Sequence, residues 1–268
     1  MMQWIDTYAA PLLALLLMAA VGGFFVHQRL GLRSYPAHVQ GPAWRWLALG
    51  VLASLTMGGM AWSMAQGLEP AAVPSSASAQ WMALDHRVQA WVQTQGDAFW
   101  MPLAHVWTQL GHVGWMAALG ALACLWLLYR RSWLLLGAWV VGVAGVGLWI
   151  RIIKHLVARA RPEMGWAVEQ GYSFPSGHSA GTLVCYGLLA WVWLLLARPA
   201  RPASPYGVVA LTVAVVLGVG ISRVLLGVHY VSDVLAGWLL GLAWLALVIG
   251  VTELARKAAA RRNSLFAV

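Results

Sequence analysis

Residues 232–252 read SDVLAGWLLGLAWLALVIGVT, and after Asp233 this stretch contains no charged residue. A helix needs about 20 mostly apolar residues to cross the hydrocarbon core of a bilayer, so this stretch predicts a membrane-spanning helix. Six further runs are also mostly apolar: 8–27, 45–66, 111–129, 133–153, 178–197 and 206–224. The runs are continuously apolar rather than alternating, which favours α-helices over a transmembrane β-barrel.

Composition agrees with this interpretation. Of the 268 residues, 61% are hydrophobic and only 9% are charged, and the mean hydropathy of +0.72 exceeds what a soluble domain of this length needs. The first run follows Asp6 without any Lys or Arg, so we expect it to be retained rather than cleaved as a signal peptide. Cys124 and Cys185 lie in separate apolar runs, which favours a small apolar role over a disulfide. The sequence predicts an all-α polytopic transmembrane helical bundle.

The distribution of charge predicts the orientation, because cytoplasmic loops carry an excess of Lys and Arg. Alternating helices put eleven cations on one side with Glu253 as the only acid: Arg29, Arg33, Arg45, Arg130, Arg131, Arg198, Arg201, Arg256, Lys257, Arg261 and Arg262. The other side has six cations, Arg87, Arg151, Lys154, Arg159, Arg161 and Arg223, and seven of the eight acids. We therefore expect a multi-pass protein of the cell (inner) membrane with a cytoplasmic C-terminus. The net charge of +9 then indicates anchoring to anionic lipid rather than a nucleic-acid partner.

The longest connection, about 67–110, becomes amphipathic after a short Ala/Pro/Ser linker. Apolar residues recur at helical spacing, namely Leu84, Val88, Trp91 and Val92. Polar residues fall on the opposite side, namely Asp85, Arg87, Gln89 and Gln93. This pattern predicts either a helix lying on the outer membrane surface or a partly buried packing helix.

Lys154 and Arg161-Pro162 form the first of three polar motifs. The two cations are seven residues apart, two helical turns, so they share one face if the helix beginning at 133 continues through them. Pro162 disfavours helix at Arg161 and predicts a bend there. Lys and Arg at a helix end also extend to the membrane interface without any ligand, and that explanation stays open for this motif alone.

Pro175-Ser176-Gly177-His178 immediately precedes the run 178–197 and therefore lies at a helix N-terminus. Ser176 is a candidate N-cap, and Gly177 would let a ligand approach the backbone closely. Free N–H groups and the positive end of the helix dipole favour an anion there, with His178 beside it. A capped helix with an interfacial histidine explains the same residues without a ligand.

The third motif is Ser222-Arg223, followed after five residues by His229 and after three more by Asp233. At this spacing the carboxylate can accept the imidazole Nδ1–H, fix the tautomer and leave Nε2 free as a nucleophile. Gly227 would allow the turn that carries His229 back toward Arg223. A purely structural His–Asp hydrogen bond is the alternative.

Alternating helices place all three motifs on the same side of the membrane, which coincidence would rarely achieve. Together they resemble the signature of the type 2 phosphatidic acid phosphatase (PAP2) superfamily: Lys-x6-Arg-Pro, Pro-Ser-Gly-His and Ser-Arg-x5-His-x3-Asp. The chain matches this signature at every position. The resemblance covers about 45–252 and implies a six-helix PAP2-like core, to which the helix at 8–27 is an addition.

The resemblance also implies a mechanism. His229 would attack phosphorus and form a phosphohistidine, Asp233 would orient the imidazole, and His178 would act as general acid and then as base. The phosphoryl oxygens would be held by Lys154, Arg161, Ser176, Gly177 and Arg223. With so many donors, neither a metal nor another cofactor is expected.

The expected substrate is a lipid phosphate or diphosphate whose headgroup meets the site at the outer (periplasmic or exterior) face. Trp166, Tyr172 and Phe174 are available as an interfacial lid. Undecaprenyl diphosphate is the first choice, with phosphatidylglycerol phosphate, phosphatidate and lipid A 1-phosphate as alternatives. A lipid phosphotransferase would use the same histidine, and a transporter would use the cations for binding alone.

These expectations divide the chain into three parts. Residues 1–44 form an N-terminal transmembrane helix and cytoplasmic loop, residues 45–255 the catalytic membrane domain, and residues 256–268 a basic cytoplasmic tail. The sequence does not predict the oligomeric state.

Overall fold

The computed structural model of the chain describes residues 42–68, 76–94, 99–163, 165, 169–196 and 205–265. Within these residues the regular secondary structure is α-helical throughout. The helices are α1 (Ala43–Leu68), α2 (Ser76–Gln93), α3 (Met101–Gln109), α4 (Val113–Tyr129), α5 (Trp133–Val157), α6 (Gly177–Leu196), α7 (Pro205–Leu225) and α8 (Val231–Leu265). The predicted all-α fold is confirmed, and the run 8–27 lies outside the described residues.

Six described segments are long and apolar enough to cross a membrane: Ala43–Leu68, Met101–Tyr129, Trp133–Val157, Gly177–Leu196, Tyr206–Leu225 and Val231–Ala258. Large apolar side chains such as Leu55, Trp62 and Leu125 are exposed on the outside of the bundle. In water such a surface would be unfavourable, whereas lipid tails cover it. The protein is therefore a multi-pass membrane protein, as the sequence predicts.

The second span contains a break that the sequence analysis missed. His112 leaves the helical conformation with φ −65° and ψ 138°, and its Nδ1 accepts a hydrogen bond from the Gly114 N–H at 3.2 Å as the N-cap of α4. The apolar run began only at 111, although the span begins with α3 at Met101. α3 packs against α7 and carries Thr108 to the polar end of the bundle.

α6 and α8 lie at the centre of the bundle and are its most buried spans. Glycines let their backbones approach closely. A Cβ added at Gly237 would lie 2.6 Å from the carbonyl oxygen of Ser176, and one at Gly241 would lie 2.9 Å from that of Ala180. The N-terminus of α6 is therefore packed directly against the first turns of α8, which also packs against α1 and α5.

Two helix ends differ from the sequence expectations. α5 ends at Val157, and Ala158 takes the left-handed conformation with φ 48° while its N–H donates to the carbonyl of Lys154 at 2.9 Å. Arg161 thus lies beyond the helix, as Pro162 led us to expect, and the condition under which Lys154 and Arg161 would share one helical face is not met. α8 continues to Leu265, so the boundary expected between 255 and 256 falls inside a helix.

α2 is the amphipathic helix expected in the 67–110 connection, but only part of its expected polar side is exposed, at Arg87 and Gln93. Asp85 and Gln89 are buried, whereas Trp91 on the expected apolar side is exposed. The helix packs against α1, α7 and α8. The packing interpretation of this segment therefore holds for the described residues, because the buried Asp85 carboxylate pairs with Arg159 inside the protein.

Candidate active site

One end of the bundle gathers the chain after α5, the N-terminus of α6 and the turn between α7 and α8. Backbone hydrogen bonds join these segments: the Ser173 N–H donates to the Arg159 carbonyl at 2.9 Å, and the Ser176 N–H donates to the Asp233 carbonyl at 2.9 Å. Motifs that are far apart in sequence therefore form one polar cluster at the end of the membrane helices.

His229 and Asp233 are both buried at the centre of this cluster. The imidazole Nδ1 faces Asp233 Oδ2 at 3.4 Å, and the same oxygen accepts the Tyr230 N–H at 2.9 Å. Gly227, with φ 66°, makes the turn that leads into His229, and the His229 N–H donates to the Arg223 carbonyl at 3.3 Å. This arrangement orients the ring and points Nε2 toward the cations.

The surroundings of His229 keep its ring neutral. Burial lowers the pKa of this imidazole to about 4, because removal from water disfavours the charged form. Asp233 opposes that effect, while the positive charges of Arg223 and Arg161 add to it. A neutral imidazole with Nδ1–H toward a carboxylate has its Nε2 lone pair available at neutral pH.

Arg161 lies directly against that lone pair, with its Nη1 3.3 Å from His229 Nε2. The same Nη1 donates to the Val228 carbonyl at 2.9 Å, and Nε donates to the Gly171 carbonyl at 2.9 Å. Nη2 completes the set with the Gln170 carbonyl at 3.2 Å. The guanidinium is thus fixed by backbone carbonyls next to the proposed attacking atom.

Arg223 approaches from the end of α7 and its side chain is only 3% exposed. Its Nη1 donates to Thr108 Oγ1 at 2.7 Å, and its Nη2 donates to a carboxylate oxygen of Glu169. The Nε–H is buried and has no hydrogen-bond partner among the described residues. A buried donor without a partner is costly, so this N–H is available to an anionic ligand.

Glu169 lies between the two arginines. One carboxylate oxygen accepts from Arg223, and the other is 3.9 Å from Arg161 Nη2. Burial raises the pKa of this carboxyl, but the charges of Arg223 and Arg161 outweigh it and the net pKa is lowered. The Glu169 carboxylate therefore already lies between the two arginines. An incoming phosphate group would compete with it for both cations.

Lys154 has a more peripheral place than the motif suggests. Its Nζ donates to the carbonyl of Tyr172 and to that of Ser173, the latter at 3.4 Å. It fastens the segment leading into α6. Of the expected lid residues, Trp166 lies outside the described residues, Tyr172 is exposed, and Phe174 is fully buried in the apolar core and cannot act as a lid.

The N-terminus of α6 has the predicted cap. Ser176 Oγ accepts from the Ser179 N–H at 3.4 Å and from the Ser179 hydroxyl at 3.0 Å. The closest atom to a Cβ added at Gly177 is Ile150 Cγ2 at 3.6 Å, so no protein contact requires glycine there. The ring of His178 packs over Gly111, where an added Cβ would lie 2.9 Å from its Cδ2.

Several polar residues of the cluster were missed as site residues in the sequence analysis: Asp85, Thr108, Arg159, Glu169 and Ser232. Arg159 was named only as a charge on the outer side, and Asp85 only as a polar residue of the amphipathic helix. Arg159 could have been recognised as a site residue, because a second arginine two residues before Arg161 is unusual in so apolar a chain. The acid in α2 that pairs with it could not be identified from spacing, because 74 residues separate the two.

Fold and site together define a polytopic membrane protein with a histidine-centred, cationic site at the end of its helices. The chain belongs to the PAP2 superfamily, whose family pattern matches residues 133–257. Decaprenylphosphoryl-5-phosphoribose phosphatase of Mycobacterium tuberculosis is 34% identical over 146 residues, which are 52% of this chain and 72% of that protein. The resemblance inferred from the three motifs is confirmed.

Phosphatidylglycerophosphatase B of Bacillus subtilis is 37% identical over 127 residues, and the match spans 47% of this chain and 61% of that protein. Lipid A 1-phosphatase of Rhizobium johnstonii is 34% identical over 116 residues, 39% of this chain and 42% of that protein. The crystal structure of a transmembrane PAP2-type phosphatidylglycerolphosphate phosphatase from Bacillus subtilis superposes with a TM-score of 0.62 at 25% identity, covering 76% of this chain and 96% of that chain.

Proposed function

We propose that the protein is an integral membrane phosphatase that hydrolyses a lipid phosphate or diphosphate. One observation carries the proposal: the buried imidazole of His229 is oriented by Asp233 and presents Nε2 to Arg161, beside the Arg223 Nε–H, which has no partner among the described residues. A neutral nucleophile between fixed cations is what attack on an anionic phosphoryl group requires. Relatives named as lipid phosphatases support the same chemistry.

In the first step the His229 Nε2 lone pair forms a bond to phosphorus, and the bond from phosphorus to the leaving oxygen breaks. His178 donates a proton to that oxygen. The substrate phosphate replaces His229 as partner of Arg161 and replaces Glu169 as partner of Arg223. Both arginines then stabilise the reacting phosphoryl group. Asp233 stabilises the positive charge that develops on the ring.

In the second step water attacks the phosphohistidine. His178 accepts a proton from the water, the bond between phosphorus and Nε2 breaks, and inorganic phosphate leaves with the neutral His229 restored. The charge on the phosphoryl oxygens is offset by the side chains of Lys154, Arg161 and Arg223 and by the α6 N-terminus at Ser176 and Gly177. Because these protein groups offset the charge on the phosphoryl oxygens, we propose that turnover needs no metal ion.

The substrate is proposed to be a lipid whose tail stays in hydrocarbon while its headgroup enters the polar end of the bundle. Undecaprenyl diphosphate is the first candidate and phosphatidylglycerol phosphate the second. A relative named for a decaprenyl compound supports a polyprenyl tail, and one named for phosphatidylglycerophosphate supports a glycerolipid. The charge distribution supports an outward-facing site.

The test is phosphate release by detergent-purified protein in EDTA, with undecaprenyl diphosphate, phosphatidylglycerol phosphate, phosphatidate and lipid A 1-phosphate as separate substrates. We expect release from at least one, and none from the His229→Ala variant. Release that requires an added lipid alcohol as acceptor would identify a phosphotransferase instead. Equal release by wild type and His229→Ala would contradict the proposed mechanism.

A further inference from the structure

Arg159 is a buried arginine that the proposed reaction does not use. Its side chain is 7% exposed and lies between two fully buried carboxylates. Nη2 donates to Asp85 Oδ2 at 2.8 Å, and Nη1 donates to Asp233 Oδ1 at 2.7 Å. The planar guanidinium suits such a bridge, because its donors point in fixed directions.

The bridge reaches the catalytic pair through the two oxygens of Asp233, which have separate partners. Oδ1 accepts from Arg159, while Oδ2 accepts from the Tyr230 N–H at 2.9 Å and faces His229 Nδ1 at 3.4 Å. Rotation of the carboxylate would break both sets of contacts. Arg159 therefore holds Oδ2 toward the imidazole.

Asp85 holds Arg159 from the other side and ties α2 to α8. Its Oδ1 accepts the Ser232 N–H at 3.0 Å, and its Oδ2 accepts from the Ser232 hydroxyl. Ser232 Oγ in turn accepts from Arg159 Nη1 at 2.7 Å. The guanidinium carbon also lies 4.1 Å from the centre of the Tyr230 ring, a cation–π distance. Arg159 is thus fixed on every side by residues adjacent to the catalytic pair.

The charge balance of this network is what makes it functional rather than merely structural. One guanidinium is shared between two carboxylates, so its charge is divided between Asp85 and Asp233. Burial lowers the pKa of Arg159, but Asp233 and Asp85 together raise it above the ordinary value, and the group remains charged. A buried ion network adds little net stability compared with apolar packing, which leaves orientation and charge control as its main effect.

We propose that Arg159 and Asp85 are positioning residues of the active site: Arg159 fixes the orientation and the effective charge of the Asp233 carboxylate, and Asp85 adjusts how strongly Arg159 does so. This inference rests on the proposed function for its catalytic meaning. The network itself can be tested without any substrate.

Removing the charge of Arg159 and removing the charge of Asp85 should shift the pKa of His229 in opposite directions. Removing the positive charge of Arg159 leaves Asp233 free to attract a proton to the imidazole, so the pKa of His229 should rise. Removing the negative charge of Asp85 lets Arg159 act on Asp233 alone, so the pKa of His229 should fall. The other groups that face His229 stay constant between these variants: His178, Arg161, Glu169 and Arg223.

The experiment is a histidine NMR titration of the full chain in detergent, with the His229 signal assigned by its loss in His229→Ala. We expect Arg159→Gln to raise the titration midpoint by about one pH unit and Asp85→Asn to lower it by a similar amount. Arg159→Lys, which keeps the charge, should restore most of the midpoint. Arg87→Gln is the matched control, because Arg87 is an exposed arginine of α2 whose Nε donates to the Ala83 carbonyl within its own helix.

Turnover is measured on the same variants. Arg159→Gln should lower kcat at least about tenfold while KM changes little, since the orienting group is lost and the phosphate contacts remain. Unchanged midpoints, or midpoints that move in the same direction in Arg159→Gln and Asp85→Asn, would overturn the inference. If Arg159→Gln does not fold, the His229 midpoint of Asp85→Asn tests the inference alone. A lower midpoint supports the inference, and an unchanged or higher midpoint overturns it. A wild-type protein that releases no phosphate would refute the proposed function while the titration still decides the network.

Discussion

At the scale of single residues, the surroundings of His229, the proposed nucleophile, keep its ring neutral. Burial disfavours the imidazolium, and Arg161 and Arg223 oppose it further, whereas Asp233 favours it. The balance leaves a neutral ring that Asp233 can still stabilise once a phosphoryl group is attached. The same histidine in water would be partly protonated near neutral pH.

The lowered pKa of His229 predicts how stability changes with pH. Between the ordinary value of 6.5 and about 4, the unfolded chain binds a proton here that the folded protein does not. Stability therefore falls as the pH falls through this window. We expect the melting temperature of wild type to decrease more steeply across it than that of His229→Gln. His155→Gln, at an exposed histidine, should follow wild type; equal slopes for wild type and His229→Gln would disprove the neutral ring.

Glu169 predicts a second effect. Its carboxylate holds Arg223 and approaches Arg161, so an incoming phosphate must compete with it. Glu169→Gln removes the negative charge, and we expect orthophosphate to inhibit the variant at about two- to fivefold lower concentration, since a part-exposed ion pair is worth up to about 1 kcal/mol. Glu163→Gln, at an exposed acid of the same connection, should leave inhibition unchanged. Weaker inhibition in Glu169→Gln would show that Glu169 assists phosphate binding.

The sequence predicted a site residue only where the contact that it makes follows from its spacing along the chain. His229 and Asp233 are four apart, and Ser176 precedes an apolar run, so local geometry identified both. Asp85 and Thr108 could not be found in this way, because each meets its arginine only after distant helices pack together. Spacing carries no information about such contacts.

At the scale of helices, the close approach of α6 and α8 sets the distance between the α6 N-terminus, the proposed phosphate-binding end, and the proposed catalytic pair. A Cβ at Gly237 would lie 2.6 Å from the Ser176 carbonyl oxygen, which is backbone and cannot turn away. We expect Gly237→Ala to destabilise the protein by about 1–3 kcal/mol and to lower turnover, measured by thermal unfolding and phosphate release.

Gly147→Ala is the matched control for that substitution. An added Cβ at Gly147 in α5 would have no atom of the described residues within 4 Å. Alanine there should leave turnover unchanged and stabilise the helix by up to about 1 kcal/mol. Equal effects of the two substitutions would show that helix propensity, rather than the contact between α6 and α8, determines the outcome at Gly237.

The sequence predicted the apolar helices well and their polar ends poorly. Long apolar runs must form helices in lipid, because their backbone has no other hydrogen-bond partner. α3 was missed because Thr108 and Gln109 interrupt its hydropathy before the break at His112. The pattern in α2 left a surface helix and a packing helix both open, because it could not show that Arg159 pairs with the buried Asp85. α5 ends at Val157 rather than at 153, because its end depends on the backbone turn at Ala158 and not on hydropathy.

At the scale of the whole molecule, the uneven charge of the two sides predicts the orientation of the site. The end of α8 carries Arg256 and Lys257, and cations at this end of the bundle favour the cytoplasm. We expect a fluorescent protein fused to the C-terminus to fold and fluoresce, and an alkaline phosphatase fused there to be inactive. The reverse result would place the active site on the cytoplasmic side and exclude substrates presented outside.

The proposed catalysis by a phosphohistidine at His229 depends on features of all three scales: the neutral ring, the packed helix ends and a lipid held at the membrane face. The most direct test is a rapid alkaline quench of the enzyme during turnover of a lipid phosphate, followed by mass spectrometry of the peptide that contains His229. We expect a phosphoryl group on His229 of the wild-type protein during turnover. We expect none on His229 in the Asp233→Ala variant mixed with the same lipid for the same time. Turnover without phosphorylated His229 at any quench time, or a phosphoryl group on another residue, would contradict it.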